Sequence, residues 1–554
     1  MAVPGTRALD RFTDRQTAVL AAGVAAVLAA AVYLNALDNP FVFDDDLEIL
    51  QNPSIEHLTN FLFVFRFSIT RPVVNFSYAL DYALWGGRSA FGYHVTNLFL
   101  HVLNVVLLFA LARYRARDRG QPGSAASSAG PTLTAFTVAS VFAVHPLLTE
   151  AVGYVSSRSD LLCASFFLTS MLCFRRAFVG SGARWLAGGL AAFVLAMGTK
   201  ETAAMLPFVL LAYDGLVLRN VGSTKARVWP VHLTLVISVL AAGIGRVWLY
   251  LAVEHPDATR FQWQNVLVVL HVVARYLTLL VAPVSQSLIP AVYPILTFSD
   301  SRAVAAVGLI ALMSTIAVLE HRREPLVTFG IVWFLVLLLP SSLLVLVADK
   351  GAPMAEHRVY LASCGFFMAV GALVARLAGS EETTANRRRR PALVVALCAV
   401  LAVLSGLTVS RNRVWADPVR LWADAVEKAP RTWEAVYGLA DAYRTTGDQT
   451  AAEATYQRAI ALRPGLVKGY LGLAGSLLDT GRVEQASEVL RLAIARVPSD
   501  TKARLLLAAL DEESLHDPGG ALRLCQEVLA FVPAMAEARE CVRRNQQKLS
   551  TPQR

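Results

Sequence analysis

The stretch TAVLAAGVAAVLAAAVYLNAL, residues 17–37, is followed after Asp38, Asn39 and Pro40 by FVFDDDLEIL, residues 41–50. The first part is long and apolar enough to cross a hydrocarbon core of about 30 Å. It exceeds a signal-peptide core and lacks a convincing cleavage site, so it reads as a retained helix. The second part places Asp44, Asp45 and Asp46, with Glu48 a helical turn on from Asp44, just beyond that crossing. Carboxylates beside a membrane span are costly to keep there and are functional candidates by default. A solvated acidic loop and a helix start remain open for this stretch. A calcium loop is disfavoured, because the alternate-oxygen spacing of an EF-hand is absent.

The rest of the chain agrees with a membrane setting. Of its 554 residues 55% are hydrophobic and 17% are charged, with a mean hydropathy of +0.49; soluble domains carry about a quarter charged residues. The net charge of +10 is no nucleic-acid footprint, since the basic residues cluster in short loops between apolar runs, as the positive-inside rule predicts. No GxxxxGK[ST] loop appears. Cys163, Cys173, Cys364 and Cys398 lie in apolar runs, and no metal-ligand cysteine spacing occurs. Cys525 and Cys541 are compatible with a bridge on an oxidising face.

Residues 1–16, with Arg7, Arg11 and Arg15, read as a cytoplasmic tail. After the first span, residues 38–91 form a long mixed loop whose aromatic content suggests helices lying at the interface. Further spans are expected at 92–112, 132–150, 161–178, 185–198, 202–218, 231–252, 302–319, 325–347, 358–378 and 391–409. The Gly/Ser-rich QPGSAASSAG reads as a flexible cytoplasmic loop. Basic flanks at Arg175–Arg176, Lys225 and Arg227, Arg322–Arg323 and Arg387–Arg390 then face the cytoplasm, and the 38–91, 145–160 and 348–357 loops face the other way. The run 265–283 upsets this count. Either it or the short pair around Lys200 is re-entrant or lies flat, giving about eleven crossings in a membrane domain at 17–410.

From 411 to 548 the character changes to a 34-residue repeat, ahead of a short tail at 549–554. GLA at 438–440 recurs at 472–474, Gly447 as Gly481, Ala452 as Ala486, Ala459 as Ala493 and Pro464 as Pro498. RLWADAVEKAP reads as the second helix of a divergent first unit, and a unit from about 501 is degraded. Small residues at fixed offsets let paired helices pack closely, and the proline ends each pair. This is the tetratricopeptide (TPR) pattern, which builds concave grooves for extended peptides; a stabilising cap or dimer contact is the plainer role. The expected fold is all-α: a polytopic helical bundle followed by a short TPR solenoid.

Three further polar groups accompany the aspartates on the same expected face. Arg71–Pro72 lies in the 38–91 loop, where the arginine suits a phosphate or neutralises the aspartates. HPLLTEAVGYVSSRSDLL puts His145, Glu150, Arg158 and Asp160 in one short outward turn. Lys200–Glu201 and EHRVY, with Glu356, His357 and Arg358, complete the set; the plainer readings are an interfacial ion pair and a helix end anchored by snorkelling. Together these residues suit sugar transfer from a lipid phosphate. A carboxylate takes the proton of an acceptor hydroxyl, and fixed cations hold the phosphate leaving group.

Residues 39 to about 410 resemble the membrane part of the transmembrane and tetratricopeptide repeat-containing proteins and their bacterial relatives. The matching pieces are FVFDDDLEILQNPSI, RPVVNFSYALDYALWG, FGYHVTNLFLHVLNVVLL, FAVHPLLTEAVGYVSSRSDLL, TKE and EHRVYLASCGF, in the family's order. The resemblance implies a GT-C type glycosyltransferase similar to protein O-mannosyltransferases, using a polyprenyl-phosphate sugar. It implies Asp44 as general base, with Asp45 assisting or orienting. The second acidic motif falls on Glu150 and Asp160. Arg71, Arg158, Lys200 and Arg358 become candidates for the donor phosphate, with His145, Glu201 and His357 lining the same site. Three departures stand out, one of them the shortness of the repeat array. HPLLTE lacks the family's second histidine, and Ser157 stands where the family has glycine.

The expected reaction is transfer of a hexose, mannose by preference, to Ser or Thr hydroxyls on the extracytoplasmic face, with inversion at the anomeric carbon and the TPR units binding the acceptor polypeptide. The partners implied are the bilayer, the lipid-linked sugar and a polypeptide; no nucleic acid is implied. No cofactor is implied beyond the donor, and a divalent metal on the aspartates stays open. The Ala/Val-rich composition points to a bacterium, and the expected topology then puts the catalytic loop and the TPR units on the periplasmic face of the inner membrane. An enzyme glycosylating lipid or envelope glycan and a non-enzymatic TPR scaffold are the alternatives. A transporter would carry an internal repeat among its spans, and none is visible.

Overall fold

The computed structural model describes residues 4–118, 129–180, 182–218, 225–249, 263–293, 295, 297–347, 353–378 and 384–550. Most of QPGSAASSAG, the last expected residues of the 231–252 span, part of the 348–357 loop and the end of the 549–554 tail lie outside these. So do the side chains of Lys225, Arg227 and Arg387–Arg390. Every regular element among the described residues is helical. The chain divides into two compact units, Met1–Gln286 with Val292–Ala416, and Ser287–Ala291 with Asp417–Arg554.

The first unit opens with α1 (Pro4–Tyr33). Two short helices follow in the expected interfacial loop, α2 (Phe61–Phe67) and α3 (Pro72–Trp85). Then come α4 (Ala90–Asp118), α5 (Ala129–Val144), α6 (Thr149–Gly153), α7 (Arg158–Val179), α8 (Ala183–Met197), α9 (Leu206–Leu216), α10 (Lys225–Leu249) and α11 (Gln264–Val281). The unit closes with α12 (Ser301–Glu320), α13 (Pro325–Val347), α14 (Tyr360–Ala378) and α15 (Thr384–Trp415).

Among the described residues, nine helices are long and apolar enough to cross a membrane, and a bent pair, Pro131–Val144 with Pro146–Gly153, makes up to ten. The stretch Ser301–Glu320 has a mean hydropathy of 2.1 yet only 11% of it is buried within the protein. An apolar surface of that extent suits lipid rather than water. The chain is a multi-pass membrane protein. The apolar run at 265–283 forms one unbroken helix of 18 residues, α11, whereas α8 and α9, flanking Lys200, have 15 and 11. The shorter elements of the pair left open by the sequence are therefore those around Lys200.

Close packing in the bundle depends on small residues, as expected where lipid removes the hydrophobic drive between helices. Gly330 on α13 faces Gly365 on α14: a Cβ on Gly330 would come within 2.3 Å of the Gly365 carbonyl oxygen. Beside this contact the buried Trp333 indole donates to the Leu361 carbonyl at 2.8 Å. The last helix runs past the expected boundary at 410 to Trp415. Its extra turn is anchored: Asn412 donates to the Val32 carbonyl and to Asn35 Oδ1, both at 2.9 Å.

The second unit contains α16 (Pro418–Lys428), α17 (Trp433–Thr445), α18 (Gln449–Leu462), α19 (Val467–Asp479), α20 (Val483–Arg496), α21 (Thr501–Glu513), α22 (Pro518–Phe531) and α23 (Ala536–Ser550). Of RLWADAVEKAP, residues 420–428 lie in α16, and Ala429 and Pro430 follow its end. Gly447 and Gly481 take φ of +88° and +74° in the turns that close each pair, a region costly for other residues. An aromatic–glycine lock repeats at the same period: a Cβ on Gly438 would lie 2.3 Å from the Trp422 ring, and one on Gly472 would lie 2.4 Å from Tyr456. One period later both partners change together, to Leu490 and Leu506, which meet in one apolar cluster.

The final helix is polar and buries little beyond Ala538, Cys541 and Asn545. Two devices hold it. Cys525 on α22 is disulfide-bonded to Cys541, and the nearly buried Glu512 on α21 receives Arg544 at 3.0 Å and Lys548 at 2.9 Å.

Candidate active site

The acidic corner is fixed by its backbone. Phe43 has φ of +56°, a strained conformation for a bulky residue, and the following turn sends consecutive aspartates to different environments. Asp44 and Asp46 are exposed, while Asp45 is fully buried. The Asp45 carboxylate accepts from the Val42 N–H at 3.1 Å and the Ser156 N–H at 2.7 Å, and from the Ser156 hydroxyl. Burial pushes its pKa up to about 7 against those hydrogen bonds, and the charge of Asp44 adds to the rise. Glu48 is also raised, by burial and by Asp44, with Arg71 opposing. Residues 46–50 form a single π turn, a distortion often found at functional positions. Arg88 then ties the loop down through the Ile49 and Asn52 carbonyls, at 3.0 and 3.2 Å.

The segment expected as one short outward turn is instead an enclosed run of 3-10 and α turns between α5 and α7. His145 caps its first turn, accepting from the Leu147 N–H at 3.2 Å, and its Nε2 lies 3.1 Å from the Leu280 carbonyl. Glu150 accepts from the Glu356 N–H at 3.0 Å and is in contact with His357 Nδ1. His357 and the buried Glu356 are therefore built into the site, not spread along a helix end. Tyr154 accepts a hydrogen bond from the Asp44 N–H at 3.0 Å. Its ring stacks on Trp415 at 5.9 Å and lies 6.5 Å from His357.

The candidate cations differ in how firmly they are engaged. Arg158 is fully buried; it pairs with Asp81 at 2.6 Å, donates to Asn97 at 2.8 Å and to the Tyr93 carbonyl at 2.9 Å, and lies over the Tyr78 ring. In this arrangement it braces α3, α4 and α7 and presents no face to a ligand. Lys200 and Glu201 are not each other's partners. Lys200 forms a buried pair with Asp160 at 2.6 Å. Glu201 faces Arg71 at 3.7 Å, in a pair with 55% and 42% of the respective side chains exposed. Nearby protein partly shields the Glu201 carboxyl from water, which by itself would raise it, but Lys200, Arg71 and Arg358 together hold it below its ordinary value. The charges of Lys200, Arg358 and Arg71 also bear on His357, and those of Arg411, Arg358 and Lys200 on Glu150. Five separated stretches of sequence thus meet here: the acidic corner, the start of α3, the α5–α7 connection, the Lys200 turn and the start of α14. Among the described residues no three His, Cys, Asp or Glu side chains converge as a metal-ligand set.

The chain is 25% identical over 492 residues to the human protein O-mannosyl-transferase TMTC4, covering 77% of this chain and 64% of that protein. Against the Caenorhabditis elegans protein O-mannosyl-transferase F38B6.6 it is 23% identical over 461 residues, covering 79% and 62%. Against human TMTC1 it is 24% identical over 542 residues, covering 84% and 58%. The chain is a relative of the TMTC protein O-mannosyl-transferases. It spans about three fifths of the length of these three relatives. A tetratricopeptide repeat model matches residues 446–510, from the turn after α17 into α21.

Tyr154, Ser156 and Trp415 are neutral side chains at the site that the sequence does not single out, and neither does it single out Asp81 as the partner of Arg158. Tyr154 and Ser156 do lie inside the motif FAVHPLLTEAVGYVSSRSDLL shared with the TMTC resemblance, two residues apart. That spacing lets one short turn reach both Asp44 and Asp45.

Proposed function

We propose that this chain transfers a hexose, mannose by its likeness to the TMTC proteins, from a polyprenyl-phosphate sugar to Ser or Thr hydroxyls of polypeptides at the extracytoplasmic membrane surface. The observation that carries this reading is the asymmetry of the acidic corner: Asp45 is buried while its neighbour Asp44 is exposed and held at its backbone by Tyr154, within a site onto which Arg71, Lys200 and Arg358 converge. Asp44 takes the proton of the acceptor hydroxyl as its oxygen attacks the anomeric carbon. The bond from that carbon to the phosphate oxygen breaks, and its electron pair leaves with the polyprenyl phosphate. Arg71 receives the developing phosphate charge, since its present partner is loose and solvent-exposed. Lys200 and Arg358 add field at close range. Attack opposite the leaving group inverts the anomeric centre.

The TPR unit supplies a surface for the acceptor polypeptide. Its disulfide supports an oxidising, extracytoplasmic setting, because such bonds rarely persist in reducing compartments. The test is reconstituted protein with radiolabelled polyprenyl-phosphate mannose, offered Ser/Thr peptides and lipid acceptors separately. Transfer to peptide that is lost in Asp44→Asn supports the proposal. Transfer to lipid alone moves it to an envelope-glycan enzyme, and transfer to neither leaves the scaffold reading.

A further inference from the structure

At the other end of α7 lies a second charged cluster that sugar transfer does not use. α7 begins beside the acidic corner and runs for 22 residues, roughly 33 Å at the helical rise. It ends at Arg175, Arg176 and Val179. The candidate span Ala90–Tyr114 ends on the same side, and α8 starts there with Arg184 and Trp185. The Arg176 guanidinium lies 4.3 Å from the centre of the Trp185 ring, and Arg184 lies 5.6 Å from it. Arg176 also donates to the Tyr114 hydroxyl at 3.1 Å, and Arg175 stacks on the Tyr114 ring at 4.2 Å.

The local charge is one-sided. No Asp or Glu occurs from Leu161 to Lys200. Among the described residues neither Arg176 nor Arg184 has a carboxylate partner, whereas nearby Arg113 is paired with Asp14 at 3.0 Å. Stacking on Trp185 and Tyr114 fixes the guanidinium planes without consuming their charge, and a planar fork of N–H donors matches the oxygens of a phosphodiester. Both spans end here, so the cluster lies at headgroup depth, where Trp and Tyr are enriched.

We propose that Arg176 and Arg184, clamped on Trp185, bind the headgroup of an anionic phospholipid on the membrane surface opposite Asp44. The ligand is a lipid with net negative charge. A zwitterionic headgroup offers the same phosphate but cancels its charge with an ammonium, which Arg176 and Arg184, with no carboxylate partner among the described residues, do not favour.

Native mass spectrometry of the full chain, released from detergent with equimolar phosphatidylglycerol and phosphatidylcholine, tests this. The wild type is expected to retain phosphatidylglycerol preferentially. An arginine at an anionic surface is worth roughly a five-fold change in affinity. Arg184→Gln, at an exposed position, should therefore lose about that much of the preference, and Arg176→Gln with Arg184→Gln at least tenfold. Arg322→Gln, an exposed arginine at another helix end, should lose none. An unchanged preference in both Arg184→Gln and the double variant overturns the site. Displacement of the bound lipid by millimolar glycerol 3-phosphate overturns the lipid assignment, because the cluster is then a site for soluble phosphate.

Discussion

The hydroxyl of Tyr154 accepts a hydrogen bond from the backbone N–H of Asp44 at 3.0 Å, joining the first loop of the chain to the connection between α5 and α7. The contact orients the peptide that carries the proposed base and leaves the carboxylate exposed. Tyr154→Phe keeps the ring and its stacking on Trp415 but removes the acceptor. Losing one neutral hydrogen bond costs about 1 kcal/mol, so transfer should fall about fivefold with little change in melting temperature. Asp44→Asn should fall by roughly a hundredfold or more, the contribution of a positioned general base, again without loss of stability. Rates and melting curves measured on the same purified variants check both. If Asp44→Asn keeps wild-type transfer, the proton acceptor lies elsewhere.

Asp45 predicts a dependence on pH. Its carboxyl is buried and raised from 3.8 to about 7. Between those values the folded protein holds a proton that the unfolded chain releases, so stability declines as pH rises from about 4 to 7 and levels off above 7. Asp45→Asn removes this titration, and its melting temperature should lack that part of the slope. The informative measurement is the difference between wild-type and variant melting temperatures across pH 4–8. A difference independent of pH would show that Asp45 does not titrate in this range.

Much of the architecture is legible in the sequence because it rests on periodicity. Apolar runs of membrane length and a 34-residue repeat are averages over many residues, and single exceptions do not blur them. Gly438 and Gly472 carry the repeat in the sequence; their reason, the Trp422 and Tyr456 rings lying on them, is a contact between helices that exists only in the folded chain. The site is legible only as a set of ionisable residues. Which of them are exposed is not, because Asp44 and Asp45 are chemically identical neighbours distinguished by one residue of positive φ at Phe43. The partners of Arg158 and Lys200 are likewise hidden, since Asp81 and Asp160 lie 77 and 40 residues away. Tyr154 and Ser156 escape a reading of the sequence because neutral hydroxyls next to a run of charges give no pattern of their own.

The Cys525–Cys541 bridge closes a separation of 16 residues and fastens a helix with little apolar surface. A loop of this size restrains the unfolded chain by about 3 kcal/mol. Cys525→Ser with Cys541→Ser should lower the melting temperature and make α23 the first element released by limited proteolysis, while α17–α20 stay protected. Reductant should reproduce this in the wild type and do nothing to the double variant. Equal proteolysis of wild type and variant would show that the Glu512 ion pairs suffice to hold α23.

Arg71 and Lys200 should separate binding from stability, though both are cations of the same site. The Arg71–Glu201 pair is long and half exposed, and such pairs contribute no more than about 1 kcal/mol. Arg71→Ala should therefore fold normally and raise the KM for the lipid-phosphate donor by tenfold or more, with partial recovery in Arg71→Lys, which restores the charge without the fork. Lys200→Ala leaves the Asp160 carboxylate buried without its cation. Breaking a buried pair from one side costs about 3–5 kcal/mol, so this variant should be destabilised first. Lys200→Met with Asp160→Leu, which removes both charges, should recover much of that stability. Donor titrations beside denaturation curves distinguish the two residues. A wild-type KM in Arg71→Ala takes Arg71 out of the donor site and passes the phosphate to Arg358.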